Sequence, residues 1–270
     1  MRSLRAVEEW PVDNVAVAVV DAKGTVLGAH GSGDLPFKLA SVTKMLTAYT
    51  VLIAVEEGAI EWDYPVGPPG STLRHLIAHA SGLSYDKPEA VAEPGRRRLY
   101  SNAGYNLIAE TIASVTGISF TDYAREAVFT PLHMYSTVLD GSAAASGVST
   151  CSDLTKFAAE LQAPTLVSEA MMAEATTVAF PGLSGVLPGL GYQKNNDWGL
   201  GFELRDHKSP HWTGANSSPR TFGHFGQSGT FLWVDPDAGM ACVALTDRSF
   251  GDWAKTAWPA FTDAVLAEPR

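Results

Sequence analysis

The sequence predicts an α/β fold of the α+β type: one sheet assembled from both ends of the chain, flanked by helices, with a mostly helical region between. Three observations lead there. Strand-like apolar runs lie at residues 15–20 and 25–29 and return at 198–204, 230–235 and 240–246. Residues 60–195 read mostly as helices joined by Pro- and Gly-rich connections. No repeat, low-complexity tract or flexible linker interrupts the 270 residues. The expected organisation is a discontinuous α/β unit, 1–59 with 196–270, and a mostly helical unit, 60–195.

In chain order, Asp21-Ala22-Lys23-Gly24 separates the first two strands as a turn. Residues 41–57 read as a helix closed by Gly58 as its C-cap. Further helices are expected at 72–80, 103–116, 119–129, 152–161 and 168–175. Residues 181–191, with glycines and prolines interleaved with leucines, read as a loop bordering a site. A last helix covers 252–267.

Composition narrows the function classes. A hydrophobic fraction of 46% and a charged fraction of 18% suit a soluble globular chain. The formal net charge of −10 argues against nucleic acid or an anionic membrane surface as partner. Arg96, Arg97 and Arg98 form a basic run that reads as a solvated loop. Two cysteines, Cys151 and Cys242, support no disulfide framework; Cys242, in an apolar strand-like run, reads as a buried free thiol. Glu8, Glu9, Pro11 and Asp13 break any secretory apolar region near the start, and no run reaches membrane-span length, so a cytoplasmic location is expected. His75 and His79 stand four apart on an expected helix without an intervening glutamate, which argues against a metal pair. With no phosphate loop or dinucleotide fingerprint, no cofactor is expected.

Three short motifs carry chemistry. Ser41-Val42-Thr43-Lys44 is S-x-x-K at the start of an apolar helix, where residues three apart share a face. A serine needs a base within hydrogen-bond reach, and a desolvated lysine supplies one. The plain alternative is a helix cap with a surface lysine. Ser84-Tyr85-Asp86-Lys87 has the same pattern, but Pro88 disfavours helix at Lys87, so it reads as a loop. Tyr100-Ser101-Asn102 places a phenol and an amide at the entry to a helix, able to move a proton and to hold an acyl side chain. Gly223-His224-Phe225-Gly226-Gln227 precedes a strand, with glycines that let a substrate approach the backbone. A helix cap beside a buried tyrosine, and a bulge with an incidental histidine, are the structural alternatives.

In the order S-x-x-K, Y-x-N, H-x-G, the chain resembles the serine β-lactamase and penicillin-binding-protein superfamily. Within it, the chain is most similar to the branch of class C β-lactamases, D-alanyl-D-alanine carboxypeptidases and family VIII esterases. Leu73-Arg74-His75-Leu76-Ile77-Ala78-His79-Ala80-Ser81-Gly82 and Trp233-Val234-Asp235-Pro236 fit that likeness. The resemblance implies an antiparallel sheet with helices packed on it, a helical insertion and a site in the cleft between. It implies Ser41 as nucleophile, Lys44 and Tyr100 as proton carriers, and Asn102, His224, Gly226 and Gln227 at the substrate. It also implies the backbone N–H groups of Ser41 and Gln227 as oxyanion donors. Many lactamases carry lysine where this chain has His224, so an uncharged small ester or amide is favoured over an anionic lactam. A serine hydrolase with esterase or β-lactamase-like activity leads. A peptidase acting on D-amino-acid or other small peptides, and a non-catalytic binding scaffold, are the alternatives.

Overall fold

The computed structural model describes residues 1–269. Its main sheet has six strands in the spatial order β2-β1-β11-β10-β9-β8, with every pairing antiparallel. β1 is Val15–Asp21 and β2 Val26–Gly31; β8 is Glu203–Leu204, β9 Phe222–Gly226, β10 Thr230–Asp235 and β11 Met240–Thr246. The N-terminal hairpin thus docks on β11, closing one sheet from both ends of the chain. The expected unit 196–270 ends one residue outside those described.

Both faces of the sheet are covered, which is why its central strands are apolar throughout rather than alternating. Ala16, Ala18, Val20, Leu232, Val234, Val243 and Leu245 face one core. Val17, Val19, Phe231, Trp233 and Cys242 face the other. The second core is covered by helix α7, Asp252–Ala267, through Ala254, Trp258, Phe261 and Val265. That i, i+4, i+7, i+11 spacing marks one helical face.

The first core is centred on α1, Thr43–Glu56, in which every residue from Thr43 to Ala54 is buried. α2 (Leu73–Ile77), α3 (Asn102–Thr116), α4 (Phe120–Ala124), α5 (Cys151–Gln162) and α6 (Glu169–Ala175) surround it. α5, from the middle of the chain, packs on β1 and β11. A small sheet of β3 (Pro36–Lys38), β4 (Val138–Leu139) and β5 (Gly147–Thr150), in the order β3-β5-β4, braces the entry to α1. A short hairpin, β6 (Gly185–Leu187) with β7 (Gly191–Gln193), occupies part of the expected 181–191 loop. Cys151 and Cys242 are both free and buried. Among the described residues no helix is long and apolar enough to cross a membrane.

Four expectations are corrected. The helix expected at 41–57 begins at Thr43, preceded by a 3₁₀ turn over Ala40–Val42. The helix expected at 72–80 stops at Ile77, because His79 takes a left-handed backbone at φ 55°. The strand expected at 198–204 is reduced to Glu203–Leu204: Gly201, at φ 96°, turns the chain so that Gly199 N–H reaches Phe202 O.

The fourth correction is Arg98, which is not a solvated loop residue. It is 1% exposed and donates to four carbonyls: Ala78 at 2.6 Å, Ala179 at 2.7 Å, Asn196 at 3.0 Å and Phe180 at 3.1 Å. Burial pulls its pKa down to about 10, against the opposing charge of Asp197. One guanidinium therefore ties three separate chain segments behind the Tyr100 loop. Arg98→Met is expected to lower the unfolding free energy by about 3 kcal/mol, because the carbonyls stay buried without donors. Arg97→Met, at an exposed neighbour, should stay within about 0.5 kcal/mol. Denaturant unfolding of both variants checks the contrast.

Candidate active site

Ser41 lies in the 3₁₀ turn that leads into α1. In a 3₁₀ turn residues i and i+3 eclipse, so Lys44 stands over the Ser41 hydroxyl although the α-helix starts two residues later. Ala40, just before it, has a left-handed backbone at φ 44°, which costs a non-glycine residue about 1–2 kcal/mol. Backbone contacts hold the turn on two sides. Leu39 N–H donates to Gly147 O at 2.8 Å, and Thr230 Oγ1 donates to Leu39 O at 2.9 Å.

Lys44 is fully buried. Its Nζ lies 2.6 Å from Asn102 Oδ1, 3.0 Å from Ala144 O and 3.3 Å from Ser41 Oγ. The rings of Tyr100 and Tyr105 flank it at 4.6 and 5.5 Å. Burial drives its pKa well below the ordinary lysine value, against a smaller opposing effect of Asp86. Of its three polar neighbours, two can only accept. A neutral amine satisfies all three: two N–H groups go to the amide and carbonyl oxygens, and the lone pair faces the serine hydroxyl.

The Tyr100 phenol lies 3.3 Å from His224 Nε2 and, with Ser41, lines the same cavity. Burial raises its pKa, and Ser41 pulls the other way. His224 Nδ1 is 2.6 Å from Phe225 O, so that nitrogen carries the proton and Nε2 accepts from the phenol. Burial chiefly holds the imidazole at about 3, so it is neutral. Its strand position explains its direction. His224 pairs with Leu232, whose side chain faces the α1 side of the sheet. Asn102 differs from expectation: besides holding Lys44, its Nδ2 donates to Asp86 Oδ1 at 3.0 Å, so both ends of the amide are engaged.

Gln227 follows β9 directly. Its carbonyl accepts from Phe250 N–H at 2.8 Å and its side chain donates to Phe250 O at 3.1 Å, which fixes the peptide. Gly226 is required sterically: a Cβ there would lie 2.2 Å from Leu39 O. The sheet edge and the serine turn therefore meet backbone to backbone.

A cavity of about 50 Å³ brings together Ser41, Tyr100, His224 and Gln227. Lys44 and Asn102 reach it through their contacts with Ser41 and with each other. Its remaining wall is Tyr85, Leu187, Pro188, Trp198, Glu203, Trp212 and Phe225, mostly aromatic. The chain reading singled out none of these as site residues, apart from treating the 181–191 segment as a border. The second S-x-x-K contributes differently: Ser84 Oγ donates to Lys87 O, while Tyr85 stacks on Tyr100 with centroids 6.0 Å apart. Glu203 is buried and accepts from Lys208, from His211 Nε2 at 2.9 Å and from Trp212 Nε1 at 2.9 Å. Burial pushes its pKa up, but His211 and Lys208 outweigh that and hold it at about 2. A larger cavity, about 670 Å³, opens elsewhere between Leu161, Met172, Leu204 and Phe222, without the serine or lysine. His75 and His79 serve as local acceptors: His75 Nδ1 lies 2.9 Å from Thr72 Oγ1, and His79 Nδ1 accepts from Ser101 N–H at 3.1 Å.

The chain is similar to several known proteins. A family model described as Beta-lactamase matches residues 6–266. The crystal structure of a beta-lactamase from Mycobacterium bovis is 55% identical, covers 98% of each chain and superposes with a TM-score of 0.97. A penicillin-binding protein of Bacillus subtilis (strain 168) is 29% identical over 134 residues, 37% of this chain and 30% of that protein. The D-alanyl-D-alanine-carboxypeptidase/endopeptidase AmpH of Escherichia coli (strain K12) is 23% identical over 170 residues, 46% of this chain and 44% of that protein. The chain thus matches less than half the length of either curated relative.

The buried imidazoles set an acid limit on stability. His79 and His224 are each held below the ordinary histidine value of 6.5, chiefly by burial. Below that pH the unfolded chain binds protons that the folded chain refuses. Stability therefore falls as pH drops from about 6.5 toward 3, and histidine contributes no slope above that window. Denaturant unfolding between pH 7 and 4.5 is expected to show this fall. His224→Gln should remove about 1.4 kcal/mol per pH unit of it below pH 6. Equal slopes for wild type and variant would mean that His224 is already charged in the folded protein.

Proposed function

This chain belongs to the beta-lactamase family, and on that premise we propose that it is a serine hydrolase forming an acyl-enzyme at Ser41 on small, uncharged esters or amides. The observation that carries the reading is the buried Lys44 amine, 3.3 Å from Ser41 Oγ with two acceptor-only oxygens on its other sides. Such an amine acts as a base without first losing a proton to bulk water.

In the first half-reaction Ser41 gives its proton to the neutral Lys44 amine while Oγ attacks the carbonyl carbon, and the Tyr100 phenol keeps its own proton as a donor. The N–H groups of Ser41 and Gln227 receive the oxyanion. The leaving group then takes a proton from Lys44 or Tyr100. In the second half-reaction water repeats the sequence on the acyl-enzyme.

Substrate charge follows from the walls. Among the described residues lining the cavity there is no arginine or lysine, and His224 is neutral. Lys208 is turned onto Glu203, and Arg98 onto carbonyls. A substrate carboxylate finds no fixed cation there, which favours neutral esters over lactams. The name of the AmpH relative supports a second reading, a peptidase on D-amino-acid substrates. A non-catalytic scaffold fits less well, since Ser41, Lys44, Tyr100 and Asn102 are all in place.

A fluorophosphonate probe is expected to label Ser41 in the wild type and nothing in Ser41→Ala. Lys44→Ala should lower kcat for a p-nitrophenyl ester by roughly a thousandfold or more. Fast hydrolysis of a chromogenic cephalosporin with no esterase activity would overturn the neutral-ester reading. Cleavage of D-Ala-D-Ala peptides with neither activity would select the peptidase.

A further inference from the structure

Tyr100 sits in neither a helix nor a strand, on the stretch between Arg98 and α3. A phenol that serves as a donor beside Ser41 needs its backbone fixed, and a loop does not fix it unaided. The two neighbouring peptide N–H groups both end on one residue. Leu99 N–H donates to His79 O at 2.9 Å, and Ser101 N–H donates to His79 Nδ1 at 3.1 Å. The His79 ring also lies against the Tyr100 ring, with centroids 4.5 Å apart.

We propose that His79 is the positioning residue for Tyr100, its carbonyl and its Nδ1 clamping the N–H groups of the residues on either side, Leu99 and Ser101. This rests on the reading of Ser41, Lys44 and Tyr100 given above. Two energetic penalties mark the clamp. His79 holds a left-handed backbone at φ 55°, unfavourable for a residue with a Cβ. Because Nδ1 accepts, the ring proton is on Nε2, and that buried N–H has no hydrogen-bond partner among the described residues. A protonated ring would point a second N–H at Ser101 N–H, so the clamp also demands an uncharged imidazole near Lys44.

Two variants separate the acceptor from the ring. His79→Phe keeps a ring and loses the acceptor; His79→Asn keeps an acceptor near the Nδ1 position and loses the ring. For a p-nitrophenyl ester, His79→Phe is expected to lower kcat roughly 10- to 100-fold with KM within about threefold, as a displaced catalytic group would. His79→Asn should restore kcat to within about fivefold of wild type. Crystal structures should show the phenol displaced from Ser41 Oγ by about 1 Å or more in His79→Phe only. Should His79→Phe not fold, His79→Gly takes its place, since glycine suits the backbone and lacks the acceptor. A folded acceptor-free variant with wild-type kcat would overturn the proposal, and so would equal losses in the acceptor-free and Asn variants. If the wild type gave no Ser41 adduct, the hydrolase reading would fail. The phenol positions in the variant crystal structures would still decide for or against the clamp.

Discussion

The arrangement depends on one buried amine. Lys44 reaches no water and is held by an amide oxygen from the start of α3, a carbonyl from the segment before β5 and a hydroxyl from its own turn. Three distant parts of the chain converge on a single nitrogen. That convergence needs α1 sunk in the core along most of its length, because a surface helix would leave the amine charged and hydrated. The same burial that makes α1 the centre of the first core holds its lysine well below the ordinary lysine pKa.

Around that amine the protein spends its other polar groups on itself. Arg98 is used up on carbonyls, Lys208 and His211 on Glu203, and Asn102 on Lys44 and Asp86. Aromatic surface and a neutral histidine remain facing the cavity. Electrostatics there is therefore local, and on the proposed reading it would serve proton movement between Ser41 and Lys44 rather than capture of a charged ligand.

Much of this was legible in the chain because the relevant signals are short-range. The S-x-x-K spacing, the two terminal groups of strands, the last helix and most middle helices appear as periodicity and caps, and the structure places them close to where they were expected. What was hidden is what distance in sequence conceals. Arg98 looked like the third member of an exposed basic run, and only its four carbonyl partners, far along the chain, show otherwise. Glu203, His211 and Trp212 have no motif; they meet because Gly201 turns the chain back beneath α1. His79 appeared only as half of a poor metal pair, since its link to Ser101 is tertiary. Strands of two or three residues, such as β3 and β4, carry too few positions for a period to register.

Gly226 has a consequence for how such a protein can diversify. Its missing Cβ is the space in which the sheet edge touches Leu39 O, so the relation between the reactive turn and that edge is set by main chain against main chain. No side-chain exchange can retune that spacing gradually. On the proposed reading, adaptation to a new acyl or leaving group would come instead through the outer panels of the chamber, such as Leu187, Pro188 and Trp212. There a change of shape leaves the reacting atoms in register.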